Sequence, residues 1–354
     1  MDKNCLILLK EVFQDQIIKI PKVELHCHLD GSIRTESIID QAKIDDVNIP
    51  SKNIQTLNSI IKIIGQESSL EDYLEKFKIT LSVMQTPGAL ERFAFELIED
   101  VFKENVVYIE VRFSPIFHTS SGMTPETSIR SVNKGLKKGE KKYGVKSCII
   151  ICGIRNMPPE TSFKLAKLAI KHKSHGVVGF DLAGPENYFP AKNHKKSFKL
   201  VKENGLKCTI HAGEAKGPSS IHQAIYDCGA DRIGHGTRLH EDSKLLNMIK
   251  TKKIPLEICL TSNWQTNCID SLKEHPLKLY YELGLIISLN TDNRLISNTN
   301  LINEMRLVNN LFGFDLKDFK NITIMSMKSA FINNSIKKER INLILNQYKK
   351  ITSL

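Results

Sequence analysis

Apolar and polar positions along the 354-residue chain alternate between two patterns. Short, β-branched apolar runs recur at residues 23–28, 106–114, 145–153, 176–183, 206–211, 232–235, 255–261 and 285–291. The stretches between them, such as 90–104, 162–172 and 220–228, carry apolar residues at helical spacing. Strands that alternate with helices must be joined by crossovers, which makes the sheet parallel. Eight such strands predict a closed (β/α)₈ TIM barrel over an open sheet. No linker or composition shift divides the chain, so residues 1–354 are expected to form one barrel domain.

The longest connection follows the first strand. Residues 54–65 and 70–84 have helical periodicity there, and such an insertion can fold over a barrel mouth as a lid. From Asp318 onward the pattern predicts helices packed outside the barrel.

Composition narrows the class of protein. Apolar content of 41% supports a substantial core, and no run approaches the ~18 apolar residues of a membrane span. The patch Cys5–Leu9 is too short for a signal-peptide core, and Glu11 follows it closely, so a cytoplasmic protein is expected. The net charge of +11 raises the question of nucleic acid. The lysines are spread in short pairs, however, without a basic stripe or interleaved aromatics, so a solvated surface is the reading and no nucleic-acid partner is expected. Eight cysteines lack C-x-x-C spacing, and several lie in apolar runs, as reduced, buried thiols would.

Candidate chemistry lies in where the unusual residues fall. His26 and His28 end the first strand, Arg112 and Ser114 the second, and Asp181 and Gly184 the fourth. His211 and Glu214 follow the fifth, His235 the sixth, and Asp292 with Asn293 the eighth. Side chains gathered at the C-terminal ends of several strands are the place where such barrels build active sites. In His26-Cys27-His28 the two imidazoles share one face of a strand and could ligate one ion. Two locally bonded core histidines would give the same string. Glu214 could swing back on Gly213 or simply initiate a helix; His235, between two glycines, could be a satisfied loop histidine; Asp292 could complete a metal shell or cap a helix. His118, His172, His175, His194, His222, His240 and His275 lie in polar loops or helices and read as structural.

Taken together, Glu24-Leu25-His26-Cys27-His28-Leu29-Asp30-Gly31, Tyr108–Pro115, Asp181-Leu182-Ala183-Gly184, His211-Ala212-Gly213-Glu214, Arg232–Gly236 and Ser288–Asp292 resemble, in order, the adenosine deaminase family of the metal-dependent amidohydrolases. Each string is weak alone; six in sequence are specific. The resemblance implies one zinc ion on His26, His28, His211 and Asp292. It implies that His235 and Asp292 orient and help deprotonate the water attacking C6, while Glu214 protonates N1. Glu214 must then carry a proton, so a raised pKa is expected. The resemblance further gives His28, Asp30, Gly184 and Asn293 to the substrate: Asp30 to the ribose 5′-hydroxyl, the Gly184 backbone to N3, and Asn293 to N7. Arg112 and Asp181 read as supports behind the ligands.

By the same resemblance, related adenine deaminases carry His-Ile-Glu-Gly at the first motif, and deaminases of modified AMP carry Asn in place of Asp30. A carboxylate there also repels a 5′-phosphate, which favours a nucleoside. Many animal members have Asp where this chain has Asn293; an amide can donate to N7 as it stands, whereas a carboxyl must first be protonated. The expected activity is hydrolytic deamination of adenosine and 2′-deoxyadenosine to inosine products and ammonia, in purine salvage, by a monomer. The rivals are a sister enzyme acting on adenine or a modified nucleotide, and a non-catalytic barrel-based binding protein. The fourth strand end has no lysine of the kind that bridges two metals in binuclear relatives, and the H-x-E with P-C-x-x-C of cytidine-type deaminases and the H-E-x-x-H of zinc proteases are absent.

Overall fold

The structure is a computed structural model that describes residues 14–67 and 69–352; the patch Cys5–Leu9 lies outside the described residues. Eight parallel strands pair in sequence order: β1 (Lys22–His28), β2 (Val106–Phe113), β3 (Lys146–Ile154), β4 (Val177–Ala183), β5 (Lys207–Ala212), β6 (Arg232–His235), β7 (Leu256–Ile258) and β8 (Ile287–Leu289). Each is almost wholly buried, because one face fills the barrel and the other packs beneath helices. The (β/α)₈ barrel is the architecture that the alternation of the two periods predicts.

The last two strands are shorter than their apolar runs. After β7 the chain turns into a helix at Leu260–Gln265, and after β8 it leaves regular pairing at Asn290. Closure is nevertheless completed at Asp292. Asp292 N donates to His26 O (2.9 Å), and His28 N donates to Asp292 O (2.8 Å), an isolated parallel bridge between the first and last strands. The Asn290 side chain adds an acceptor for Leu25 N at 2.9 Å.

Between β1 and β2 lie five helices, including the short pair Leu70–Glu75 and Phe77–Ser82. Three helices end the described chain, Leu301–Phe312, Leu316–Ser329 and Asn334–Thr352. The link between the last two closes the end of the barrel away from the polar strand ends: Arg232 Nη1 donates to Ser329 O (2.9 Å), and its guanidinium lies 3.6 Å from the centre of the Phe331 ring. Seven described cysteines form no disulfide, in line with reduced thiols; Cys5 lies outside the described residues. No described helix is long and apolar enough to cross a membrane.

Candidate active site

Strand alternation turns His26 and His28 of β1 to the same interior, where they meet His211 of β5 and Asp292 beyond β8. One ligand atom from each of the four lies within 4.8 Å of the others. His28 Nε2 is 3.1 Å from His211 Nε2, and Asp292 Oδ1 is 3.4 Å from the Nε2 atoms of His26 and His28. Asp292 takes up this position at φ 61°, in the left-handed region that Asp tolerates better than most residues with a side chain.

Carboxylates fix which nitrogens face inward. Glu257 of β7 sits 2.8 Å from His26 Nδ1; burial opposes its charge, but Arg112 and Arg232 hold it well below the usual carboxylate range. An ionised carboxylate only accepts, so His26 Nδ1 donates, and in the neutral ring, the form a metal ion binds, Nε2 carries the bare lone pair. Asp181 Oδ1 does the same to His211 Nδ1 at 3.1 Å, its carboxyl also lowered, against burial, by His211 and Arg112. Two bare imidazole nitrogens therefore converge with a carboxylate in a buried space. His26 Nε2 has no hydrogen-bond partner among the described residues. Such a donor set suits a divalent transition-metal ion and would be costly without one.

Beneath the cluster, Arg112 bridges Asp181 (2.9 Å) and Glu257 (2.8 Å), and Arg232 bridges Glu257 (2.6 Å) and Glu110 (2.6 Å). Every member is almost fully buried, and each of the three carboxylates touches at least one of the two guanidiniums.

Beside the cluster stand Glu214, His235 and Asp292, again with ligand atoms within 4.8 Å of one another. Gly213, at φ 73°, turns the chain after β5 so that Glu214 faces back into the barrel. Burial holds the Glu214 carboxyl well above its usual range, and the negative charges of Asp292 and Glu186 push the same way. Its Oε1 accepts from Thr266 Oγ1 (3.2 Å), and its Oε2 is 3.5 Å from His235 Nε2. These groups line a cavity of about 220 Å³. His28, Asp30, Gly184 and Asn293 line it too, and the helices Leu70–Glu75 and Phe77–Ser82 cover it with Leu70, Tyr73, Leu74 and Phe77. Of the candidate site residues, all but His26 line this space, and His26 joins it through the ligand cluster. Asn293 packs on Gly31 so closely that a Cβ there would come within 2.0 Å of its Oδ1, which accounts for glycine after Asp30.

A family model described as adenosine deaminase matches residues 21–347. The chain belongs to the adenosine deaminase family. Like other members, it is a hydrolytic deaminase. It is 39% identical over 335 residues to an adenosine deaminase of Clostridium kluyveri, spanning 94% of this chain and 95% of that one. It is 42% identical over 321 residues to that of Clostridium botulinum strain 657, spanning 90% and 97%. Among solved structures, the adenine deaminase of Arthrobacter aurescens superposes with a TM-score of 0.87 at 23% identity, over 95% of this chain and all of that one. A zinc-bound amidohydrolase superposes at 0.85 with 21% identity, over 97% of this chain and 93% of that one. The N6-methyl-AMP deaminase of Arabidopsis thaliana gives 0.83 at 26% identity, over 94% and 98%.

Several residues that build the site of this deaminase escape the sequence reading. Glu257 lies in an apolar run, and period-two alternation alone marks it as inward. Ser262 and Asn263, in the helix after β7, hold the two residues beside the cavity: Ser262 Oγ donates to Asp292 Oδ2 (2.6 Å), and Asn263 Nδ2 lies 2.9 Å from His235 Nδ1. Glu186 accepts hydrogen bonds from the backbone N–H groups of Gly213, Glu214, Ala215 and Lys216 at 2.6–3.0 Å. Of the histidines read as structural, His118 bonds to Met84 O and His194 to Ser162, while His275 bonds to Asn263 (3.2 Å) and so touches the site at one remove.

Proposed function

We propose that this deaminase converts adenosine and 2′-deoxyadenosine, with water, to inosine or 2′-deoxyinosine and ammonia, using one zinc ion held by His26, His28, His211 and Asp292. One observation carries the reading: a buried carboxyl biased to stay protonated, Glu214, faces a three-histidine, one-carboxylate cluster across one cavity. Bound there, zinc supplies a water of lowered pKa and thus a nucleophile near neutral pH. Glu214 holds its proton toward the purine N1, and protonation there makes C6 electrophilic. The C6–N6 bond then breaks and ammonia leaves. Glu214 regains a proton from the oxygen added at C6, which closes the cycle.

Substrate choice rests on Asp30, Gly184 and Asn293. Asp30 is buried beside His28, with 4.0 Å between Oδ1 and the ring Nδ1, and places a carboxyl where a 5′-substituent would lie. A hydroxyl can bond to it, whereas a phosphate is repelled by its ionised form. Gly184, at φ 104°, presents bare backbone to the cavity, and Asn293 offers an amide N–H suited to N7. Incubating metal-replete protein with adenosine, 2′-deoxyadenosine, adenine and AMP and following ammonia release tests the reading. Adenosine should be turned over best; a preference for adenine or AMP would move the chain to one of its sister activities.

A further inference from the structure

A chain of three hydrogen bonds fixes which nitrogen of His235 carries the proton. It starts at Leu277, whose backbone N–H can only donate and points at His275 Nδ1 (3.0 Å). His275 Nδ1 is therefore the bare nitrogen. Burial lowers the His275 pKa to about 3, so the ring is neutral and its one proton sits on Nε2. His275 Nε2 is 3.2 Å from Asn263 Oδ1, and Thr237 Oγ1 donates to the same oxygen at 2.8 Å. The amide of Asn263 is thereby oriented, with its NH₂ group turned to His235 Nδ1 at 2.9 Å. An amide NH₂ has no lone pair to offer, so His235 Nδ1 must be the acceptor. With Nδ1 accepting, the ring can hold only one proton. Its proton then lies on Nε2, a buried atom facing the cavity with no hydrogen-bond partner among the described residues.

We propose that His275 and Asn263 are positioning residues that lock His235 as the Nε2–H tautomer, so that His235 donates a hydrogen bond to the attacking oxygen and does not act as its base. The part played toward the oxygen rests on the deaminase reading above; the tautomer does not. A ring whose only inward nitrogen already bears a proton cannot take a second while Asn263 holds Nδ1 as an acceptor. Asp292 is then the base. One water proton passes to Asp292 and leaves with the amine as ammonia. The proton on the oxygen added at C6 restores Glu214 as the C6 carbonyl forms. The His235 proton never leaves the ring, and its N–H stabilises charge on the oxygen as a preoriented donor.

Nitrogen-15 spectra of the zinc-loaded enzyme, labelled at histidine and assigned with a His235→Gln variant, read the tautomer directly. A single proton on Nε2 across roughly pH 6–8 is expected. A proton on Nδ1, or a doubly protonated ring, overturns the proposal. Asn263→Asp supplies the second reading, because a carboxylate at Nδ1 draws the proton to that nitrogen. The expected result is a shift to the Nδ1–H form and a fall in kcat of about 100-fold, with KM within about threefold and zinc content unchanged. An unchanged kcat in a protein whose tautomer has switched rules out the donor role. If that variant does not fold, His275→Leu combined with Thr237→Val removes both donors to Asn263 Oδ1, so the amide can turn over and both His235 tautomers should appear; a spectrum still showing Nε2–H alone rules out the relay. Absence of ammonia release from adenosine by the native enzyme would defeat the deaminase reading while leaving the spectra to decide the tautomer.

Discussion

His26 of the first strand and Glu257 of the seventh meet inside the barrel, Nδ1 to Oε2 at 2.8 Å, both side chains fully buried. The contact fixes the imidazole orientation and tautomer, so Nε2 is presented to the ligand cluster without searching for it. Glu257→Gln keeps the shape but can offer an amide N–H where the histidine needs an acceptor. Metal affinity should fall about 10–100-fold, measured by competition with a chelator of known strength. An affinity equal to that of the native protein would show that the pair serves the barrel alone.

His26, His28, His211 and Asp292 were legible in the chain because each breaks an apolar run at its C-terminal end, and only a common barrel face accounts for all four. Their supports were not. Glu257 sits within an apolar run, where alternation marks an inward side chain but not its partner. Asn263 and Ser262 come from a seventh strand that ends after three residues and turns into a helix, so no strand end announced them. His275 is reached only through Asn263, a contact between loops that periodicity does not encode. The fold and the clustered polar groups follow local patterns; the orienting contacts depend on how neighbouring strand ends fall in space.

Glu214 should give the reaction its alkaline limit. Burial, Asp292 and Glu186 raise its pKa well above the usual glutamate value, so the carboxyl is protonated below that raised pKa and loses its proton as pH rises through it. Only the protonated form can donate to the substrate. The kcat profile should therefore hold on the acid side of this pKa and decline above it. Glu214→Gln should bind metal normally yet lose about 10²–10⁴ of kcat. Loss of the metal in that variant would place Glu214 among the ligands.

Asp30 should govern the choice between nucleoside and nucleotide. Burial raises its pKa to about 7, so a substantial ionised fraction is present near neutrality to repel a 5′-phosphate. Asp30→Asn removes that charge and offers an N–H in its place. The ratio of kcat/KM for AMP to that for adenosine should rise by at least about tenfold. A constant ratio would assign phosphate exclusion to the covering helices, which place Leu70, Leu74 and Phe77 over the cavity.

Glu186 should matter through Glu214 while touching no substrate. Four successive N–H groups, from Gly213 to Lys216, converge on its carboxylate and set the turn that aims Glu214 inward. Its Oε2 alone accepts three of them, so Glu186→Gln cannot satisfy the whole set: one side-chain oxygen becomes an NH₂ facing other donors. Displacing Glu214 by a fraction of an ångström should cost about 10–100-fold in kcat with little change in KM. In a Glu214→Gln background the same substitution should cost almost nothing further, because the group it positions is already gone. Full additivity of the two losses, measured as kcat in a double-mutant cycle at equal metal content, would show that Glu186 acts on the fold at large.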